Sequence, residues 1–155
     1  MLQDTAQETC AVLGEEWSDP KSFDQVMQDM IMPHCKEKTV LEIGIGGGRV
    51  ASKVASSAKA LVGVDISLQM LKKCKENLSA HQNVEFLHQT GENLPITLKD
   101  RQFDFIYCFD VLVHCDIHTI NRVMRQARQI LAPNGMLMIS VANLCSDLGF
   151  SRFLK

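Results

Sequence analysis

The sequence predicts an α/β domain built on a doubly wound, mostly parallel sheet with helices on both faces. Two observations lead there. Short apolar runs alternate with amphipathic helical runs along the chain, a pattern that demands parallel strands joined by right-handed crossovers. The first of those runs, Thr39-Val-Leu-Glu-Ile, ends in four glycines within the five positions 44–48. A strand that runs into glycine leaves bare backbone against which a ligand can lie, and the helix start beyond it offers N–H groups.

The elements follow in order. Residues 1–21 form an N-terminal segment, in which Trp17 could anchor a linker or close over a pocket, and 22–155 form the domain. A helix is expected over 22–32, with Phe23, Val26, Met27, Met30 and Ile31 on one face. Ser22 and Gln25 make a capping box there, and Pro33 stops the run. The first strand is 39–44, followed by a helix over 48–57. The second strand is 60–65, followed by a helix over 67–80 with Leu71, Cys74 and Leu78 inward. The third strand is Val84–His88, and a loop from Thr90 to Arg101 follows. The fourth strand is Phe103–Phe109. The helix over 116–131 carries Ile117, Ile120, Met124, Ala127 and Leu131 on one stripe. Pro133-Asn134-Gly135 turns the chain into the fifth strand, Met136–Val141.

Composition narrows the function classes. The chain has 155 residues, is 46% apolar and carries a net charge of −2. That suits one core-forming domain and disfavours nucleic acid as the main partner. No apolar run approaches the roughly 18 residues of a membrane span, and no signal-peptide pattern opens the chain. Six cysteines lie scattered without a C-x-x-C pair, which disfavours zinc and points to reduced, buried thiols in a cytoplasmic protein.

The glycine turn carries the chemistry. Gly44, Gly46 and Gly48 read G-x-G-x-G, and Arg49 stands where the dinucleotide fingerprint places its third glycine. Glu42, two residues before the first glycine, would sit at the pocket edge, where a carboxylate repels phosphate and favours a ligand with positive charge. Asp65 ends the second strand 21 residues after Gly44. An acid at that place suits both hydroxyls of a ribose, although it could instead cap the helix beginning near Ser67. The glycine turn, Asp65, the loop from Thr90 and the pair Phe109-Asp110 all fall on the carboxyl edge of the sheet, where doubly wound folds bind ligands.

The stretch Val40-Leu-Glu-Ile-Gly-Ile-Gly-Gly-Gly48 resembles the first motif of class I S-adenosylmethionine-dependent methyltransferases. Val62-Gly-Val-Asp-Ile-Ser67 is similar to their second-strand motif, and Gly91-Glu-Asn-Leu-Pro95 to their adenine-side loop. Phe103 to His114 resembles the fourth-strand motif, and Leu131-Ala-Pro-Asn-Gly-Met-Leu137 the turn into the fifth strand. The order is the family's own, and the likeness runs over about residues 22–145. Within the family it lies closest to the small-molecule methyltransferase-domain proteins.

The resemblance implies a Rossmann-like fold, S-adenosylmethionine as cofactor with S-adenosylhomocysteine as product, and a small-molecule methyl acceptor. Gly44, Gly46 and Gly48 would let the amino-acid end of the cofactor approach, with Glu42 near its ammonium through water or backbone N–H groups. Asp65 would accept from the ribose and Ile66 would stack on adenine. Gly91 and Glu92 would flank the adenine edge. Thr90 replaces the aspartate many relatives carry there, a weaker acceptor. Phe109 and Asp110 would stand near the methionine part and the substrate mouth. Asp110 could orient the acceptor. His114 is the candidate base, since its ordinary pKa of about 6.5 suits proton removal near neutrality, or it is a helix-start histidine beside Asp116. The family usually continues past the fifth strand with a helix and an antiparallel strand pair that this sequence does not reach. The expectation is either a fragment or short isoform, truncated within the domain, or a second copy or partner chain that covers the exposed edge. Two other readings stay open: a non-catalytic cofactor-binding domain, and an NAD-dependent oxidoreductase.

Overall fold

A computed structural model describes residues 19–143, 145 and 146. Among the described residues, five strands form one all-parallel sheet in the order β3-β2-β1-β4-β5. The strands are β1 (Thr39–Ile43), β2 (Ala60–Asp65), β3 (Val84–His88), β4 (Phe103–Cys108) and β5 (Leu131–Ile139). The order reverses between β1 and β4, so the crevice of the fold opens where those two strands end. Helices α1 (Pro20–Val26), α2 (Ala51–Val54) and α3 (Leu68–Asn77) cover one face. Helix α4 (Ile117–Gln129) and a short 3-10 turn at Ile96–Leu98 cover the other. The two apolar cores meet at the sheet. Val40, Phe105 and Tyr107 point into the first, while Leu41, Ile43 and Ile106 point into the second.

Several expectations need correction. The first helix begins at Pro20, and Asp19 is its cap, accepting from the Ser22 N–H at 3.0 Å. The Ser22–Gln25 capping box is therefore absent: proline at the first helical position and an aspartate before it make a better start. This helix continues into a π turn at Met27–Ile31 and a 3-10 turn at Met32–His34. The wider turn keeps Phe23, Met27 and Ile31 on the buried face and rotates Met30 out to 49% exposure. The helix expected over 48–57 shrinks to α2. Around it the N–H groups of Lys53 and Ser57 bond only three residues back, to Val50 and Val54, which is tighter than α geometry.

Helix α4 buries Val123 and Ala127, with Ile130 beyond its end, and exposes Ile117 and Met124. Its inward face is thus turned by about one position from the stripe expected. The turn at Pro133-Asn134-Gly135 lies inside β5. Phe103 pairs with Leu131 and Phe105 with Met136, so three extra residues of β5 bulge out against β4. Leu71, Cys74 and Leu78 are buried as expected. Trp17 lies outside the described residues. No described helix is long and apolar enough to cross a membrane.

Candidate functional site

The glycine turn is pinned from two sides. The N–H groups of Gly44 and Ile45 both donate to the Val64 carbonyl, at 2.8 and 3.0 Å, and Asn77 of α3 donates to the Gly47 carbonyl at 3.0 Å. Gly44, Gly46 and Gly48 all take positive φ, at 80°, 52° and 91°. A Cβ on Gly44 would stand 2.3 Å from Val111 Cγ2, and one on Gly48 would stand 2.9 Å from Cys74 Sγ. A Cβ on Gly46 would meet nothing within 4 Å. The three glycines thus serve different ends. Gly44 and Gly48 make room for the protein's own side chains, and Gly46 faces open space at the lip.

Asp65 closes the turn onto β2. Its Oδ2 accepts from the Gly46 N–H and its Oδ1 from the Ser67 N–H, both at 2.8 Å. The helix cap is Ser67, whose hydroxyl accepts from the Met70 N–H at 3.2 Å. Each Asp65 oxygen has a second lone pair, so the half-buried carboxylate can still accept a pair of hydroxyls. Ile66 beside it is 71% exposed, and its carbonyl accepts a 3.1 Å bond from His88 Nε2. Sequence reading assigned His88 nothing; strand pairing puts it directly opposite Asp65.

Glu42 is not at the pocket edge. It is 4% exposed, because β1 is a central strand covered by helices on both faces. Its Oε2 accepts a 2.7 Å bond from the Tyr107 hydroxyl, rather than from backbone N–H groups. Glu42 and Tyr107 are paired across β1 and β4, so the ladder itself delivers the donor. Burial raises the Glu42 carboxyl to about 8; the Tyr107 hydrogen bond works against that rise and the charge of Asp65 adds to it. Burial, then Glu42, drives Tyr107 well above the usual phenol range. Burial, with Glu42 second, lifts the thiols of Cys35, Cys74 and Cys108 to about 12. These thiols are inert packing groups.

The loop after β3 is held by α4. Thr90, Gly91 and Glu92 are exposed. Glu92 is engaged by Arg122 in an ion pair. Gln126, one turn further along, accepts from the Leu94 N–H at 2.9 Å and donates to Asn93 Oδ1 at 2.7 Å. Neither Arg122 nor Gln126 belongs to a motif in the sequence, and only the folded loop gives them a partner. We expect Gln126→Ala to raise amide exchange at Leu94 about fivefold, the equivalent of about 1 kcal/mol of local protection, in hydrogen-exchange mass spectrometry. An unchanged Leu94 amide would show that other contacts hold the loop.

On the far side, Phe109 is half-buried and Asp110 is exposed, with a left-handed φ of 62°. The Asp110 N–H donates to the Ser140 hydroxyl at 2.7 Å, and the Ser140 N–H donates to the Cys108 carbonyl at 3.0 Å. A serine just beyond β5 thereby fixes the exit of β4. His114 ends a 3-10 turn at Leu112–His114; its side chain lies outside those described. Asp116 caps α4, accepting from the Thr119 N–H at 2.8 Å. The Phe23 ring of α1 packs under the Arg49 guanidinium, 3.8 Å from it, and lies 6.2 Å from the Phe109 ring.

Gly46, Asp65 and the rest of the glycine turn are therefore gathered at one lip, between the Gly91 loop and Asp110, while Glu42 lies buried in the sheet behind it. The lip carries acid and bare backbone. Its guanidinium, Arg49, lies on an aromatic face.

Comparison with known proteins agrees with this geometry. Residues 40–135 match the family described as a methyltransferase domain. The chain is 27% identical over 142 residues to the ubiquinone biosynthesis O-methyltransferase of Nitrosomonas europaea, covering 84% of this chain and 59% of that one. It is 29% identical over 119 residues to a Mycobacterium tuberculosis protein named as a probable S-adenosylmethionine-dependent methyltransferase, covering 77% and 41%. Among solved structures, the PH0226 protein of Pyrococcus horikoshii OT3 superposes with a TM-score of 0.68 at 27% identity, covering 81% and 59%. The chain spans about half the length of these relatives. The matched span takes in the glycine turn, Asp65, the Gly91 loop and Asp110, and the chain belongs to the class I S-adenosylmethionine-dependent methyltransferase family.

Proposed function

We propose that this chain binds S-adenosylmethionine at the carboxyl lip of its sheet and, within its protein, carries methyl transfer to a small-molecule acceptor. The observation that carries this reading is Asp65. A carboxylate already fixed by two N–H groups at 2.8 Å stands beside the open Gly46 backbone. It is oriented, with acceptor capacity to spare for a ribose. The donor set fits the cofactor: acids and bare backbone suit a sulfonium and an ammonium. In this reading Glu42, Gly44, Gly46 and Gly48 frame the amino-acid end. Asp65 and Ile66 take the ribose and the adenine face, Thr90, Gly91 and Glu92 the adenine edge, and Phe109 the methionine chain. The names of the two sequence relatives support both the cofactor and a small-molecule acceptor.

The cofactor brings a methyl group on an activated leaving group. The chain's own part is alignment, which can be worth an effective molarity of about 10⁵ M or more. Asp110 would orient the acceptor from the rim. His114 would take a proton where the nucleophile must lose one.

Calorimetric titration with S-adenosylmethionine, S-adenosylhomocysteine and NAD tests the reading. Binding of the first two is expected, and tight binding of NAD alone would overturn it. Asp65→Ala is expected to weaken the adenosyl ligands by about 1–3 kcal/mol, the range for a charge-assisted hydrogen bond. Unchanged affinity in a folded variant would remove Asp65 from the ribose role.

A further inference from the structure

Glu42 and Tyr107 form a buried acid–phenol pair that the reaction itself does not use. Glu42 is 4% exposed, Tyr107 is fully buried, and a 2.7 Å hydrogen bond joins them across paired strands. The titratable groups that act on Glu42 are Tyr107 from β4 and Asp65 from the end of β2. Its own charge in turn raises the thiols of Cys35 before β1, Cys74 of α3 and Cys108 of β4. None is a cation. On the same face, the His34 ring packs on Phe105 at 5.4 Å, Arg49 lies over the Phe23 ring and Lys53 of α2 lies 3.9 Å from Asp24 of α1. A carboxylate so placed has a hydrogen-bond donor but no counter-charge in this set.

We infer that Glu42 is a proton-linked sensor of cofactor charge: it holds its proton while the lip is empty and releases it to solvent when the cationic adenosyl ligand arrives, the Tyr107 hydroxyl then donating to the carboxylate. The inference rests on the cofactor reading above and adds a linkage to it. One O–H bond of the carboxyl breaks, its proton goes to buffer, and the positive charge of the ligand at the lip offsets the carboxylate left behind. The ligand-free carboxyl titrates at about 8. An opposite charge within about 4–6 Å lowers a carboxyl by about 1–3 units. At pH 7.5, binding should therefore release roughly half to three-quarters of a proton. Tyr107 is the positioning residue, since it supplies the one side-chain donor that favours the ionised form.

The test is titration calorimetry of the whole chain with S-adenosylmethionine at pH 7.5, in phosphate, HEPES and Tris, whose ionisation enthalpies differ. Carbon-13 NMR titration of the glutamate carboxyls without ligand accompanies it. In the wild type we expect the observed enthalpy to vary with buffer by roughly half a proton or more, and one glutamate to titrate far above the others. Glu42→Gln should remove both. Tyr107→Phe should move that titration higher and shift the rise of affinity to higher pH. Binding with buffer-independent heat, or a buffer dependence surviving in Glu42→Gln, would overturn the inference and leave the cofactor reading standing. Absence of any binding would defeat both. If Glu42→Gln does not fold, the wild-type NMR titration decides alone: every glutamate titrating in the ordinary range overturns the inference.

Discussion

Gly44→Ala is expected to destabilise the chain by about 2–5 kcal/mol, from two separate costs. A φ of 80° is a conformation in which an alanine loses about 1–2 kcal/mol. The added methyl would also stand 2.3 Å from Val111 Cγ2 and 3.1 Å from Cγ1. Overpacking of that kind costs about 1–3 kcal/mol. Val111 cannot easily retreat. It is β-branched and stiff, and it sits between Asp110, locked to Ser140, and Leu112, buried to 2%. Gly46→Ala is the control. Its φ of 52° carries the backbone cost, but its Cβ meets nothing. Denaturant unfolding should therefore separate the pair by about 1–3 kcal/mol. Ligand titration should rank them the other way, because only at residue 46 does the methyl enter the open lip. Equal stabilities would mean that Val111 moves aside freely.

The second large effect is a pH dependence. The Glu42 carboxyl lies at about 8 in the folded chain against 4.5 ordinarily. Between those values the native state keeps a proton that the unfolded chain has lost. The contribution of this group to the stability of the ligand-free protein is thus fully present below about pH 4.5 and is lost as pH rises toward about 8. Glu42→Gln keeps the shape and an acceptor for the Tyr107 hydroxyl, and it carries no charge to bury. We expect it to match the wild type near pH 4.5 and to exceed it by about 2–4 kcal/mol at pH 8. Urea unfolding at pH 5, 6.5 and 8 measures this; a difference that does not grow with pH would mean that Glu42 ionises at no cost.

Much of the sheet was legible because β1 to β4 are short apolar runs, with glycine closing β1 and an acid closing β2. Strands β2 and β3 begin and end where the sequence placed them, and β1 and β4 end within a residue. The start of β5 was not, because Pro133-Asn134-Gly135 is a strong turn signal that tertiary pairing absorbed as a bulge. The face of α4 was misread by one position because Ile117 and Met124 fit the helical period as well as Val123 does, and only contact with the sheet chooses between them. Glycines and acids at strand ends announce a site by themselves. Tyr107 and Gln126 do not: one is a tyrosine in an apolar run until strand register sets it opposite Glu42, the other a polar residue on a helix until the loop at 92–94 folds against it.

One aromatic ring has a wider reach. Phe23 touches the arginine that follows the glycine turn and the phenylalanine that follows β4. Those two segments belong to opposite halves of the fold, separated by the switch point in strand order. Helix α1 thus bridges, through a single ring, the segments that leave β1 and β4 on either side of the crevice, and that ring belongs to a residue outside every glycine or acidic motif.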